Sequence, residues 1–241
     1  IFIDTPGWQA QPRKLLNKNM NREVTIALQD IDCILMLADA RGWQPEDDSI
    51  ISLIQSSKPA KAILALNKED LVKKKRQLLK EVDKINKKYD LFQEYLFISA
   101  RKQTGIFELC KQLSRMCPER PFLYGPETLT NRSERFLVSE LVREKLFHFL
   151  GDELPYETKV SVETFKETGK LVHIDCTIWV ERTGQKTIVV GKKGLSIKNI
   201  GTSARQDIEH LLGKKIFINL WVKVRKGWRD DLKFLEPVNF E

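Results

Sequence analysis

The stretch Ile63-Leu64-Ala65-Leu66-Asn67-Lys68-Glu69-Asp70 decides the fold of the first half of the chain. Its four apolar residues, bounded by polar ones, predict a buried strand of a parallel sheet. In open α/β sheets, ligands bind in the crevice outside the carboxyl ends of the strands. The polar residues that end this run therefore lie where a ligand site is expected.

The order of these polar residues suits a guanine base. Asp70 can accept hydrogen bonds from the ring N1–H and the exocyclic amine of guanine, a pair of donors that adenine does not offer. Asn67 can contact the far edge of the base and brace the loop, and the stem of Lys68 can lie along the base face. A solvated loop of turn residues could carry the same letters, so the neighbouring strand ends must decide between the two interpretations.

The chain begins with another apolar run, Ile1-Phe2-Ile3, which predicts a short strand ending at Asp4-Thr5-Pro6-Gly7. A carboxylate directly after a buried strand, here Asp4, can hold Mg²⁺, and the N–H of Gly7 can meet a terminal phosphate. Many P-loop GTPases carry a water-orienting Gln directly after this glycine. Trp8 occupies that position here and cannot orient water, so the catalytic residue stays unassigned.

A third strand end, Ser99-Ala100, follows the apolar run Tyr95–Ile98. The N–H of Ala100 can donate to the guanine O6, and the hydroxyl of Ser99 can brace the loop of Asp70. One more buried strand is predicted at Ile34–Ala38, between the first and second motifs. The order Asp-x-x-Gly, Asn-Lys-x-Asp, Ser-Ala resembles the translation-factor-type GTPases, which implies an α/β P-loop GTPase-type sheet with GTP or GDP and Mg²⁺ as ligands.

No phosphate-binding loop occurs in these 241 residues. The motif Gly-x-x-x-x-Gly-Lys-Ser/Thr, whose Lys binds the β- and γ-phosphates and whose Ser/Thr binds Mg²⁺, is absent from the sequence. In this order of motifs it would precede Ile1, where the chain begins inside a strand-like run. We therefore expect an amino-terminally truncated GTPase domain, which alone neither binds GTP tightly nor hydrolyses it.

Charge points to a polyanionic partner, because the chain has a formal net charge of +8. From Arg182 to Lys233 there are thirteen Lys/Arg and four Asp/Glu, a local excess of nine, and the remainder nearly balances. A second basic run, Lys73-Lys74-Lys75-Arg76, lies in a predicted helix and is interpreted as a solvated face or as a membrane-surface or RNA contact. No apolar run approaches the ~18 residues needed to span a bilayer.

The second informative stretch is Gly191-Lys192-Lys193-Gly194, with apolar residues on both sides. The glycines allow an RNA backbone to come close, and the two lysines can neutralise phosphates. An apolar groove beside the loop, with walls at Ile188, Val190 and Ile197, would hold about four unpaired nucleotides. Lys198 belongs to the same predicted RNA site.

This arrangement resembles the core of a KH domain, and the predicted helix and two strands before it resemble the type II form. The segment Thr187–Val190 can be interpreted in two ways. Its β-branched residues favour a strand, whereas the KH resemblance implies a short helix, and we follow the resemblance. Near the carboxyl end, Trp228 is predicted either to stack on a base or to join the core.

A GTPase domain followed by a type II KH domain resembles the Era family, and the resemblance covers nearly the whole chain. It includes the strand-end motifs, the segment Gly151-Asp152-Glu153-Leu154-Pro155-Tyr156 and the segment Val222-Lys223-Val224-Arg225-Lys226-Gly227-Trp228. We predict a partial GTPase domain at 1–117, a linker at 118–133 that contains Pro118, Pro121 and Pro126, and an α+β type II KH domain at 134–241.

The resemblance implies a ribosome-assembly factor that binds the 3′ region of small-subunit ribosomal RNA and uses GTP hydrolysis as a switch. It also implies a monomer that is cytoplasmic, contacts the small ribosomal subunit and associates peripherally with the inner membrane. Two alternatives stay open at this point: a passive RNA-binding module with a vestigial GTPase domain, and a membrane-associated GTPase regulator.

Overall fold

The computed structural model describes residues 1–10, 12, 14–29, 31–73, 75–125, 127–151 and 154–235. The chain divides into two compact units, Ile1–Phe122 and Leu123–Glu241. This division lies inside the predicted linker at 118–133. Four residues named above lie outside the described residues: Lys74, Pro126, Asp152 and Glu153.

The first unit is an α/β fold around a three-stranded parallel sheet of order β1-β2-β3. Its central strand is buried on both faces, with Ala62, Ile63, Leu64, Ala65 and Leu66 at most 3% exposed, as the continuous apolar run predicts. The elements of this unit are α1 (Leu15–Ala27), β1 (Ile34–Asp39), α2 (Pro45–Ser57), β2 (Ala62–Asn67), α3 (Lys75–Tyr89), β3 (Glu94–Phe97) and α4 (Ile106–Met116).

The predicted strand Ile1-Phe2-Ile3 is wrong in this structure. Residues 1–9 have no regular secondary structure, and the side chains of Ile1, Phe2 and Ile3 are largely exposed. A strand is stable only when its backbone N–H and C=O groups pair with a neighbouring strand. The described sheet contains only β1, β2 and β3, and residues 1–3 pair with neither of its two edge strands, so the apolar run forms no strand.

The basic run at 73–76 precedes and begins α3. Leu78 and Ile85 of this helix are each 3% exposed, and Ile85 packs in the sheet core, whereas Lys73 and Arg76 are exposed. The helix is thus held by its apolar side and presents lysines to solvent. Within the described ranges, no helix combines the length and the apolar character needed to cross a bilayer.

The second unit is an α+β fold in which helices cover one face of a mixed sheet of order β4-β5-β6. β4 pairs antiparallel with β5, and β5 pairs parallel with β6. Alternate residues of β5, namely Val172, Ile174, Cys176, Ile178 and Val180, are at most 1% exposed and form the centre of the core. The elements are α5 (Glu134–Leu150), β4 (Lys159–Thr168), β5 (Leu171–Val180), α6 (Thr183–Val190), α7 (Leu195–Leu212), β6 (Lys215–Val224) and α8 (Leu232–Leu235).

Thr187–Val190 forms the end of helix α6, not a strand. Val189 is fully buried in the core, while Ile188 beside it is 56% exposed, as expected of neighbours on a helix that packs by one side. Tertiary burial therefore overrides the β propensity of this run. Helix α6 is anchored at its start by Gln185, whose Oε1 accepts hydrogen bonds from the N–H groups of Glu181 and Arg182, each at 2.9 Å.

Candidate functional sites

Asn67 links the two strand-end loops of the predicted guanine site. It is the last residue of β2, and its Oδ1 accepts hydrogen bonds from the N–H of Lys68 at 2.8 Å and from the N–H of Ala100 at 3.0 Å. The loop that begins at Ser99 closes through backbone hydrogen bonds in both directions with Thr104. The structure therefore brings the Asn-Lys-x-Asp and Ser-Ala motifs into direct contact.

Asp70 lies in a single 3-10 turn, Glu69–Leu71, that follows β2. A hydrogen bond from the side chain of Ser99 is the main cause that lowers the pKa of Asp70, and the positive charges of Lys102 and Arg101 lower it further. Ser99 is completely buried. The carboxyl group of Asp70 is thus held ionised and acts only as an acceptor, which is the role that a base with two adjacent donors requires.

The side chain of Lys68 forms an ion pair with Asp39, a residue that was not predicted to belong to the site. Its backbone is left-handed (φ 68°), and its Nζ lies 2.9 Å from Oδ2 of Asp39, the last residue of β1. Arg41 forms hydrogen bonds with the same carboxylate through Nε and Nη2, and this bonding holds the pKa of Asp39 well below its usual range. Because Asp39 directly follows a predicted buried strand, its position at a strand end could have indicated that it belongs to the site.

The motif Asp4-Thr5-Pro6-Gly7 has no described contact with the loops at Asn67 and Ala100. Asp4, Thr5 and Gly7 are exposed, and Pro6 is half-buried. Among the described residues, no three His, Cys, Asp or Glu side chains cluster to hold a metal ion. Mg²⁺ that is bound together with phosphates commonly takes a single carboxylate from the protein. The exposed carboxylate of Asp4 is chemically suited to be that ligand.

The Gly191–Gly194 loop connects α6 to α7 in a conformation that depends on glycine. Gly191 has φ 72° and ψ 176°, a region that side chains scarcely reach, and a Cβ there would lie 2.5 Å from the Cβ of Ser196. Gly194 is left-handed (φ 76°, ψ 12°) and has open space at its Cβ position. Lys192 and Lys193 are exposed between the two glycines, where they can reach phosphates.

A groove of about 320 Å³ lies between helix α7 and strand β6. Its α7 side includes Ile197 and Lys198, as predicted, and its floor is the edge strand β6. Ile188 and Val190 are not among its lining residues, because α6 directs Ile188 to solvent and packs Val190 against the core. The assignment of Ile188 and Val190 to the RNA site therefore stays a prediction. The groove itself is lined by residues of α7 and β6: Ile197, Lys198, Gly201, Thr202, Arg205, Ile218, Asn219 and Leu220.

Two of these groove residues, Gly201 and Arg205, recur at helical spacing after Ile197, a signal that the sequence analysis did not use. Gly201 comes four residues after Ile197, one helical turn further, and a Cβ on it would lie 3.4 Å from the side chain of Leu220, in ordinary van der Waals contact, so α7 packs beside β6 at this position. Arg205 follows after one more turn on the same side of the helix. Trp228, in contrast, is 1% exposed and belongs to the core, which removes it as a stacking candidate.

Comparisons with known proteins agree with this division into a nucleotide half and an RNA half. A model of the GTP-binding domain of elongation factor Tu matches residues 1–119. A model of the KH domain matches residues 153–229, which include the glycine loop and the groove. The fold and the motifs thus define a protein with a GTPase-type domain followed by a KH domain.

Curated relatives narrow the class further. GTPase Era of Coxiella burnetii (strain Dugway 5J108-111) is 37% identical over 241 residues, all of this chain and 81% of that protein. GTPase Era of Stenotrophomonas maltophilia (strain K279a) is 39% identical over 241 residues, again all of this chain and 80% of that protein. The chain belongs to the Era family of GTPases.

Solved structures support the same assignment. A point variant of Aquifex aeolicus Era bound to GDP·AlF4⁻ matches with a TM-score of 0.87 and 32% identity over 96% of this chain and 79% of that one. Era in complex with MgGDPNP and nucleotides 1506–1542 of 16S ribosomal RNA matches with the same TM-score and identity, over 96% of this chain and 78% of that one.

Replacing Gly191 with Ala should distort the loop far more than the same change at Gly194. In Gly191→Ala the new side chain would have an unfavourable backbone conformation and would also clash with Ser196. In Gly194→Ala the only cost is that of placing a side chain on a left-handed backbone. We expect Gly191→Ala to destabilise the second unit by roughly 2–4 kcal/mol and Gly194→Ala by about 1 kcal/mol. Urea denaturation followed by circular dichroism measures both, and equal losses of stability would contradict the assigned conformation of Gly191.

Proposed function

We propose that this chain is the GTP-binding and ribosomal-RNA-binding portion of a ribosome-assembly GTPase. In this proposal the KH groove holds the 3′ region of small-subunit ribosomal RNA and contacts the small ribosomal subunit, and the GTPase half serves as the switch. The ligands are GTP or GDP with Mg²⁺. The solved relative that contains both MgGDPNP and a segment of 16S ribosomal RNA supports the combination.

The observation that carries the RNA half is the position of the glycine loop directly before α7, the helix whose first turns line the groove. Exposed Lys192 and Lys193 lie at one end, where a backbone can approach the small glycines, and the apolar side of Ile197 with the edge strand β6 continues from there. A single-stranded RNA needs phosphate contacts and an apolar groove for its unpaired bases, and both occur here.

The assignment of a guanine site to the first unit is supported by one hydrogen-bond acceptor, the Asp70 carboxylate, and one donor, the Ala100 N–H. Asp70 is kept ionised beside Ser99, and the Ala100 N–H is available to exchange its bond with Asn67 Oδ1 for one with a base carbonyl. We assign Asp4 to Mg²⁺ and Thr5, Pro6 and Gly7 to the phosphate end. Lys68, held by Asp39, is assigned to the base face.

Changing both Lys192 and Lys193 to Asp should weaken RNA binding without changing base preference. Phosphate contacts add affinity that is largely independent of sequence, and the loss of two contacts should flatten the slope of log affinity against log salt by about two. Fluorescence anisotropy with a matched and a mismatched single strand across a salt series measures this. The control is Lys84→Asp and Lys87→Asp on exposed parts of α3, which should leave the slope unchanged. A loop variant with wild-type affinity and slope would remove the loop from the RNA site.

Changing Asp70 to Asn should reduce the affinity of the full-length protein for GDP. The change replaces a charged acceptor with a group whose NH₂ faces the donors of guanine, so affinity should fall roughly 10- to 100-fold. Xanthosine diphosphate, which carries a carbonyl in place of the exocyclic amine, should bind the variant better than it binds the wild type. Calorimetry with both nucleotides measures this, and Asp83→Asn on the exposed side of α3 is the control. Equal GDP affinity for Asp70→Asn and wild type would defeat the pocket assignment.

We also propose that the protein is a cytoplasmic monomer with peripheral affinity for the inner membrane. Exposed cations at and before the start of α3, namely Arg76 and Lys73, support electrostatic attraction to anionic lipids. Sedimentation with vesicles should show binding with anionic lipid, loss of that binding at high salt and none with neutral lipid. Equal sedimentation in both vesicle types, or in neither, would remove this proposal.

A further inference from the structure

The outer face of the β4-β5-β6 sheet carries two exposed aromatic rings on its edge strand. In β6, Ile216 and Val222 are buried against the helices, so the odd-numbered positions face the other way. On that outer face Phe217 is 50% exposed and Trp221 is 58% exposed. Both rings present a large, partly exposed aromatic face on the same side of the strand, where an unpaired base could stack.

Two lysines flank the aromatic pair, and the carboxylate of Asp175 on the adjacent strand lies between the two rings. β6 contains no acidic residue, and Lys215 and Lys223 lie on the same face at the two ends of the aromatic pair. Lys223 Nζ lies 5.5 Å from the ring centre of Trp179, and Lys215 Nζ lies 3.9 Å from a Glu209 carboxylate oxygen, at the outer limit of an ion pair. On the adjacent β5, His173 packs its ring against Phe217 with ring centres 5.4 Å apart.

A polar pair separates the aromatic rings. Asn219 lies between Phe217 and Trp221, and its Nδ2 donates a hydrogen bond to Oδ1 of Asp175 at 2.9 Å. The rings are about 13 Å apart along the strand, given ~3.3 Å per residue. They therefore do not form one continuous apolar patch of the kind that protein partners bury. Separate rings flanked by lysines are instead typical of a platform on which successive bases stack.

The platform is continuous with the RNA groove. Asn219 lines the groove, and it also lies on the outer face between the two rings. Because β6 is an edge strand, no further strand among the described residues separates the groove from that face. An RNA strand that leaves the groove at Asn219 can therefore pass over the edge of the sheet and meet an aromatic ring on either side.

We propose that Phe217 and Trp221 form a second RNA subsite, which stacks unpaired bases of the strand that continues from the groove. This inference rests on the proposed RNA-binding function of the KH half. It extends the footprint beyond the approximately four nucleotides that the groove holds. Lys215 and Lys223 supply phosphate contacts along the way, and the bases are held by their faces, so this subsite adds affinity without strong sequence preference.

The test compares a short and a long RNA with the complete 241-residue chain. Fluorescein-labelled single strands of four and twelve nucleotides are titrated with wild type, Phe217→Ala, Trp221→Ala and Trp221→Phe. Phe149→Ala is the matched control, because Phe149 is 41% exposed on α5, which packs on the opposite face of the sheet. Circular dichroism checks folding, which these exposed positions should leave intact.

Each alanine variant should bind the twelve-nucleotide strand at least fivefold more weakly, since one stacked base contributes roughly five- to hundredfold in affinity. Binding of the four-nucleotide strand should change by less than about twofold. Trp221→Phe keeps a ring and should retain most of the affinity, and Phe149→Ala should bind both strands like the wild type. In addition, RNA should quench the tryptophan fluorescence of the wild type more than that of Trp221→Phe.

Other results would overturn the subsite. If wild type binds both strands and the alanine variants match it on the longer one, the platform does not bind RNA although the groove does. Equal weakening for both strands would place the effect in the groove itself. If Trp221→Ala changes sedimentation behaviour at unchanged RNA affinity, the face is a protein interface. If wild type binds neither strand, the proposed RNA function fails and the subsite fails with it.

Discussion

The parallel pairing of β5 with β6 is the constraint on which the RNA half depends. The two strands pair without interruption from Leu171 with Lys215 to Val180 with Val224. Parallel neighbours need a crossover connection, and here the crossover runs through residues 181–214. It contains α6, the glycine loop and α7, so the strand pairing itself carries the loop and lays α7 beside the edge strand. The groove is the space that remains between α7 and β6, where Gly201 of the helix lies beside Leu220 of the strand.

The nucleotide half also depends on parallel strand pairing, which here places three strand ends side by side. Three parallel strands end at one edge of the sheet, where Asp39, Asn67 and Ser99 follow one another across β1, β2 and β3. Asn67 bonds to the loop after β3, and Asp39 holds the side chain of Lys68. The predicted base contacts at Ala100, Lys68 and Asp70 are thus each held by a residue from a neighbouring strand end, above a central strand whose apolar residues are at most 3% exposed.

Much of this could be predicted from the sequence, because short motifs at strand ends and a glycine loop between apolar runs carry their own geometry. The strands predicted at Ile34–Ala38, Ile63–Leu66 and Tyr95–Ile98 are confirmed to within one or two residues at their ends, whereas Ile1-Phe2-Ile3 has the apolar pattern of a strand but pairs with none. Local patterns cannot report tertiary contacts. Thr187–Val190 has β propensity but is helical, and Trp228 lies in the core. Asp39 and Asn219 acquire their roles only when separate strands come together.

The central claim is that single-stranded RNA binds along the loop and the groove between α7 and β6. The most direct measurement is the change in backbone amide NMR signals of the chain when an unstructured RNA strand is added. The account predicts that the largest changes lie in Gly191–Gly194, in the first half of α7 and in Ile218–Leu220, with small changes in α5. Changes concentrated in the basic helix α3, with the glycine loop unaffected, would contradict it.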